Sequence, residues 1–238
     1  MSHFPDALSH GTFDEVFPNI FCVTGSMETV LMDKDWQFSR NMVVVREGKR
    51  LIILNSIRLD EEGLNHLDSL GSVTDVIRVG ALHGRDDAFY LDRYQATYWT
   101  LPGIDPEHNC HDVQVLNTDS VLPIADASVF MFEKTQVPES IILLSREGGI
   151  LIGCDAIQNW EKADRYFSAQ STEMMQEMGF FTPANVGPVW QQVACPVADD
   201  FIRLKSLTFK HALCGHGKPL LNTAKEDFVN TFSRLFNI

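Results

Sequence analysis

Ala81-Leu82-His83-Gly84-Arg85-Asp86-Asp87-Ala88 begins where an apolar run, Val73–Gly80 (VTDVIRVG), gives out. Two shorter segments repeat that arrangement further along the chain. Gly153-Cys154-Asp155 follows Ser140–Ile152 (SIILLSREGGILI), and Gly215-His216-Gly217 follows His211–Cys214 (HALC). Short apolar runs bounded by glycine read as buried strands. A strand end that delivers His or Asp into a loop is where layered α/β hydrolases place their ligands. Three such ends in one chain point to a layered fold with ligand-bearing loops.

Outward from these loops the pattern stays strand-rich. Phe13–Thr24 (FDEVFPNIFCVT) alternates as one strand, and Asn41–Arg46, the turn Glu47-Gly48-Lys49 and Arg50–Asn55 read as a β-hairpin. Leu59, Leu64, Leu67 and Leu70 recur at near-helical spacing, with Asp60 placed to cap the start and Gly71 to end the helix. Tyr90–Tyr98 predicts a helix and Thr97–Leu101 a short strand. Ser128–Ile152 reads as strand, turn, strand, with Arg146-Glu147-Gly148-Gly149 as a hairpin turn. Asn159–Gly179, carrying Trp160, Ala163, Tyr166, Phe167, Met174, Met175 and Met178, has a helical pattern. Phe201–Lys210 is a helix or a helix running into a strand, and Ala224–Phe236 closes the chain as a helix. Strand-rich pairs followed by helices, twice over, predict an α+β fold in one domain spanning residues 1–238. Its form is a four-layer αββα sandwich, two mixed β-sheets flanked by helices.

Composition bounds the function. The chain has 238 residues, 45% of them apolar, enough for one large core. Its net charge of −13, from 32 acidic and 19 basic residues with no basic stripe, disfavours a nucleic-acid partner. No apolar run approaches the ~20 residues that span a bilayer, and the polar segment Met1–Asp14 does not read as a signal peptide. A cytoplasmic location with no membrane partner is the expectation. The five cysteines (Cys22, Cys110, Cys154, Cys195, Cys214) are odd in number, scattered and free of any CxxC pair, so they read as reduced thiols.

The order and spacing of these segments resemble the metallo-β-lactamase superfamily over about Phe13 to Phe236. Members share the αββα sandwich and bind one or two metals, usually zinc, iron or manganese, at one edge of it. Their first motif is His-x-His-x-Asp-His. His83 falls on its first His, Arg85 on the second, Asp87 on the Asp and Ala88 on the last His. Asn55, after Leu51-Ile52-Ile53-Leu54, stands where the family has an Asp. Asp155 falls on the bridging Asp and His216 on the final His. No His stands at the middle position, where Gln136 and Glu139 are the nearest polar residues. The resemblance implies this fold with a degenerate metal-binding motif.

Two functional readings stay open. In the first, His83, Asp87, Asp155 and His216 hold one Zn, Fe or Mn ion, with Glu139 lining the site and open positions for water. Hydrolysis of an ester, amide or thioester follows, with His216 or Asp86 moving protons. In the second, no metal is held. Arg85 pairs with Asp155 or Asp87 and replaces the cation's charge, giving a non-catalytic binding or scaffold protein. The partner is a small-molecule substrate in the first case and an anionic ligand in the second. Cys154 reads as a packing thiol, with a nucleophile partnered by His216 as the alternative. His108-Asn109-Cys110-His111 is too short to enclose a tetrahedral ion and reads as a surface loop. No Gly-x-Ser-x-Gly or P-loop pattern occurs.

Overall fold

In a computed structural model, which describes residues 4–31, 33–105 and 112–238, the strands sort into two sheets. The first contains β1 (Asp14–Phe17), β2 (Ile20–Leu31), β3 (Lys34–Glu47), β4 (Arg50–Leu54), β5 (Ser72–Ile77), β6 (Thr97–Thr100) and β7 (Val113–Val115), side by side in chain order. β1 to β4 form an antiparallel meander, and β4 to β7 are parallel. Each parallel step needs a crossover, and two of them carry a helix, α1 (Glu61–Leu70) before β5 and α2 (Asp87–Tyr94) before β6. The second sheet has the order β11 (His211–Leu213), β10 (Ile150–Ile152), β9 (Ser140–Leu144), β8 (Ala127–Met131), with only β10 and β11 parallel. Between β10 and β11 lie α3 (Ala169–Glu177), α4 (Pro188–Ala194) and α5 (Ala198–Ser206), and α6 (Ala224–Phe236) closes the chain.

The sequence dictates the layering through the two-residue period of a strand. Ile20, Val43, Val45, Ile52 and Leu54 of the first sheet meet Ile142, Leu144, Ile150, Ile152 and Leu213 of the second in one core. The alternate residues Phe21, Val44, Leu51 and Ile53 face outward onto Leu64 and Leu67 of α1 and Phe89 and Tyr90 of α2. On the far side, Ile141, Leu151 and Ala212 pack on Trp190 of α4, Phe201 of α5 and Phe228 and Phe232 of α6. Strands buried on both faces explain why Val43-Val44-Val45 and Leu51-Ile52-Ile53-Leu54 are unbroken apolar runs. The result is the αββα arrangement expected from the sequence.

Several boundaries differ from expectation, each for a local reason. Phe13–Thr24 is two strands, because Pro18-Asn19 turns the chain and Asn19 takes a left-handed conformation (φ 66°). β2 and β3 run far past the expected ends, pairing continuously from Ile20↔Val45 to Leu31↔Lys34. The outer half of this hairpin mixes polar and apolar residues, so no clean period marks it. Within Asn159–Gly179 only Ala169–Glu177 is helical, capped by Ser168, whose hydroxyl accepts from the Ser171 N–H. The segment 160–167 is irregular and wraps toward the sheet edge. Asp60 caps α1 as expected, accepting from Gly63 N–H at 2.8 Å. The His108-Asn109-Cys110-His111 segment lies outside the described residues. Cys22, Cys154, Cys195 and Cys214 are free. Among the described residues, no helix is long and apolar enough to cross a membrane.

Candidate metal centre

Strand register places the side chains of the site. Ile152 pairs with Leu213 across the parallel β10–β11 ladder. The residues three beyond each, Asp155 and His216, therefore emerge together at the same end of the second sheet. His83 arrives from the other sheet, six residues after Ile77 ends β5. Its turn is folded by Arg78, whose guanidinium donates to the carbonyls of Gly80 and Ala81. Gly84 (φ 146°) leaves room for that guanidinium, which a Cβ would overlap. β3 ties the two sheets together here. Asn41 N–H donates to Gly215 O at 2.7 Å, and its side-chain amide donates to the carbonyls of Cys214 and Gly217.

On the other side of the His216 loop, Asn159 N–H donates to His216 O at 3.0 Å and Lys218 N–H donates to Asn159 O at 3.0 Å. Gly217 between them takes φ 83°, and a Cβ there would collide with the Asn159 carbonyl. Gly217→Ala is expected to cost about 2 kcal/mol from the left-handed backbone and the clash. Urea unfolding measures this, and an unchanged midpoint would contradict the tight closure of the loop.

Three donor atoms meet at the sheet edge. His83 Nε2 lies 3.1 Å from His216 Nε2, His216 Nε2 lies 3.0 Å from Asp155 Oδ1, and His83 Nε2 lies 3.4 Å from Asp155 Oδ2. His216 Nδ1 faces the Ser39 carbonyl at 3.0 Å. A carbonyl only accepts, so Nδ1 carries a hydrogen, and Nε2 is the ring atom turned toward Asp155 and His83. His83 can place one hydrogen on Nε2, which bridges only one of the three contacts. An ion held among the three side chains would meet all of them at once. Ligands about 2.05 Å from a tetrahedral zinc lie about 3.3 Å apart, which matches the observed separations. Two imidazoles and a carboxylate also suit iron and manganese. By donor chemistry and by spacing the residues fit a single divalent ion.

The electrostatics favour the same state. Burial alone would raise the Asp155 carboxyl, but the facing His83 and His216 overcome it and hold Asp155 well below the usual carboxylate range. Burial, with His216 and Arg40 nearby, lowers the pKa of His83 against the pull of Asp155, which favours the neutral imidazole that ligates. Cys154 Sγ lies 3.6 Å from Asp155 Oδ2, and one ligand atom each of His83, Cys154 and Asp155 lie within 4.8 Å of one another. Burial, with Asp155 and Glu139 beside it, pushes that thiol well above its usual pKa. A raised pKa favours the protonated thiol, which is both a weaker nucleophile and a weaker ligand than a thiolate.

The remaining residues singled out in the sequence lie outside this group. Asp86 is bound by the guanidinium of Arg40, by Arg85 Nη1 at 2.6 Å and by the Arg58 N–H at 3.0 Å. Both its oxygens are engaged, two of the three donors falling on Oδ2 and one on Oδ1. Asp87 turns away to accept from Ser56 Oγ and from Tyr98 OH, the latter at 2.9 Å, and does not join His83. Arg85 pairs with Asp86 and reaches the Asp6 carbonyl at 3.3 Å; it does not pair with Asp155 or Asp87 as expected. The buried cation of the cleft is Arg40, which sequence reasoning missed. Asn55 holds the loop before Cys154, donating to Gly153 O at 3.0 Å.

Glu139 is fully buried behind the site. Its Oε1 accepts from Ala156 N–H at 2.7 Å and its Oε2 has no partner among the described residues. Burial first, and Asp155 second, push this carboxyl well above the usual range. The folded state therefore keeps a proton that the unfolded chain loses near pH 4.3. The corresponding stability is fully present below that pH and declines as pH rises toward the folded-state value. Glu139→Gln is expected to remove that decline, so melting temperatures at pH 5 and pH 8 lie closer together than in the parent. An unchanged gap would show that Glu139 does not hold the proton.

A cavity of about 280 Å³ opens in front of the donors, lined at its polar end by Arg40, His83, Asp155 and His216. Trp160 packs on His216 at 4.6 Å between ring centroids and donates its indole N–H to Ser39 Oγ at 3.1 Å. The helical pattern assigned to its segment concealed this role. The detectable signal for Arg40 and Asn41 was Ser39-Arg40-Asn41, three polar residues immediately before a fully apolar strand half. All three are buried.

The fold is shared with solved metallo-β-lactamases. DIM-1 metallo-β-lactamase aligns with a TM-score of 0.63 at 13% identity, over 96% of this chain and 99% of that one. A metallo-β-lactamase from Erythrobacter litoralis aligns at 0.59 and 14% identity, over 97% and 96%. FIM-1 from Pseudomonas aeruginosa, in its mono-zinc form, aligns at 0.57 and 12% identity, over 97% of each chain. No protein-family model and no curated protein matches the sequence.

Proposed function

We propose that this chain, which has the metallo-β-lactamase fold, is a one-metal hydrolase whose ion is held by His83, Asp155 and His216. The observation that carries this reading is the convergence of two imidazole nitrogens and one carboxylate at 3.0–3.4 Å. A zinc, iron or manganese ion bound there supplies Lewis acidity and an activated water near neutral pH. The substrate class is an ester, amide or thioester.

The chain's own residues supply orientation and charge. Asp155, with its low proton affinity, anchors a cation and is poorly suited to act as a base. Ser39 fixes the His216 tautomer, and Trp160 and Phe38 pack on its ring and exclude water. Asp86 orients Arg40, whose permanent charge stabilises a developing oxyanion in the same cavity. The Arg40–Asp86 pair also explains why one ion suffices. The carboxylate next to Asp87 in the His83 loop is already neutralised by guanidinium groups and does not recruit a second metal.

Metal-stripped protein reloaded separately with zinc, iron or manganese, then tested on a panel of activated esters, amides and thioesters, examines the reading. Turnover that appears on reloading and is absent in Asp155→Ala supports it. Turnover that survives in Asp155→Ala, or in stripped protein, would overturn it.

A further inference from the structure

The cavity beside His83, Asp155 and His216 joins two opposed chemistries. Its walls include Trp36, Phe38, Trp160, Met175, Phe180 and Val189. Aromatic faces and a methionine make an apolar but adaptable surface. Its mouth stays apolar as well, since Leu31, Leu82 and Val193 line it while 37%, 50% and 38% exposed. The polar end holds one permanent cation, Arg40, which is only 2% exposed. Asp86 engages one terminal nitrogen of Arg40, the other has no hydrogen-bond partner among the described residues, and the side chain lines the cavity. A buried guanidinium with spare donors is satisfied best by a carboxylate or an oxyanion. At about 280 Å³ the cavity equals about nine water volumes, room for roughly eight to ten heavy atoms.

We infer that the substrate is an ester, thioester or amide of an apolar monocarboxylic acid, with its acyl group in the aromatic cavity and its carbonyl oxygen against Arg40. The reaction rests on the one-metal reading above. Water adds its oxygen to the carbonyl carbon, and the bond from that carbon to oxygen, sulfur or nitrogen breaks. The leaving group departs with one proton, and the second proton passes to solvent as the acid ionises. The product is an apolar carboxylate, and the site that makes it also binds it.

Product binding gives a readout independent of turnover. Trp36 and Trp160 line the cavity, so their fluorescence reports occupancy. The probes are octanoate and phenylacetate, set against 1-octanol, 2-phenylethanol and acetate, in stripped and in zinc-loaded protein. Both apolar carboxylates are expected to bind at least about tenfold more tightly than the matching alcohols and than acetate, the difference a charge-assisted hydrogen bond supplies. Arg40→Met, which removes the charge, is expected to erase the advantage over the alcohols. Val189→Trp, which fills the cavity and leaves the polar end intact, is expected to abolish binding of every tailed probe.

Equal affinity for octanoate and acetate, or binding unaffected by Val189→Trp, would overturn the acyl assignment. Zinc content is measured on the same samples, which separates the two ideas. Zinc bound with no tail preference leaves the one-metal reading standing and removes this inference. Tail- and Arg40-dependent binding in a protein that takes up no zinc, iron or manganese supports the acyl cavity and removes the hydrolase reading.

Discussion

Replacing Arg40 with methionine is expected to lower the unfolding free energy by about 3 kcal/mol while leaving the fold intact. Arg40 and Asp86 are 2% and 1% exposed, so removing one partner strands a charge in a poorly solvated setting. Burial lowers the Arg40 pKa, and Asp86 acts against that shift. Asp86 keeps Arg85 and the Arg58 N–H, which places the cost at the low end for a broken buried pair. Methionine matches the apolar stem, so little of the loss comes from packing. The double variant Arg40→Met/Asp86→Leu should recover much of the stability, because replacing both members of a buried pair by apolar groups is often nearly neutral. Urea unfolding of the two variants measures this. A loss under about 1 kcal/mol in Arg40→Met would show that the pair is effectively solvated, and that Arg40 is not the buried cation of the cleft.

Zinc is expected to stabilise the parent protein strongly and His216→Ala hardly at all. At a free concentration one hundred times the dissociation constant, a ligand specific to the folded state adds about 2.7 kcal/mol. For a chain of this size that is a rise in melting temperature of roughly 5–10 °C. The donors come from two sheets, His83 from the first and Asp155 and His216 from the second, and the unfolded chain does not hold them together. His216→Ala leaves His83 and Asp155, too few donors to hold the ion tightly. Thermal unfolding with and without zinc checks this, and an equal rise in both proteins would place the metal elsewhere.

Most of the layering was legible because buried strands announce themselves. Val43-Val44-Val45, Leu51-Ile52-Ile53-Leu54 and Ile141-Ile142-Leu143-Leu144 are apolar without interruption, and each lies in a strand. His83, Asp155 and His216 were legible for a related reason, since each follows closely on such a strand. The outer β2–β3 hairpin was not legible. Residues 25–31 and 34–40 pair regularly but are partly open to solvent, which weakens their period.

Arg85 and Asp87 were misplaced for another reason. Sequence position sets which loop a residue occupies but not which way its side chain turns. Asp87 opens α2 and is drawn to Ser56 and Tyr98, and Arg85 folds back onto its neighbour Asp86. Arg40 and Asn41 were missed because their partners, Asp86 and Gly215, are 46 and 174 positions away. Long-range polar pairing leaves no periodic trace, and only the buried polar triplet Ser39-Arg40-Asn41 inside an otherwise apolar strand half hinted at it.

Elemental analysis of untagged protein, purified without chelator and compared with Asp155→Ala, decides whether the converging donors hold an ion. The expected result is about one equivalent of zinc, iron or manganese per chain, lost in Asp155→Ala while the variant remains folded. No bound metal after dialysis against excess zinc, iron and manganese, or the same content in both proteins, would contradict the one-metal centre.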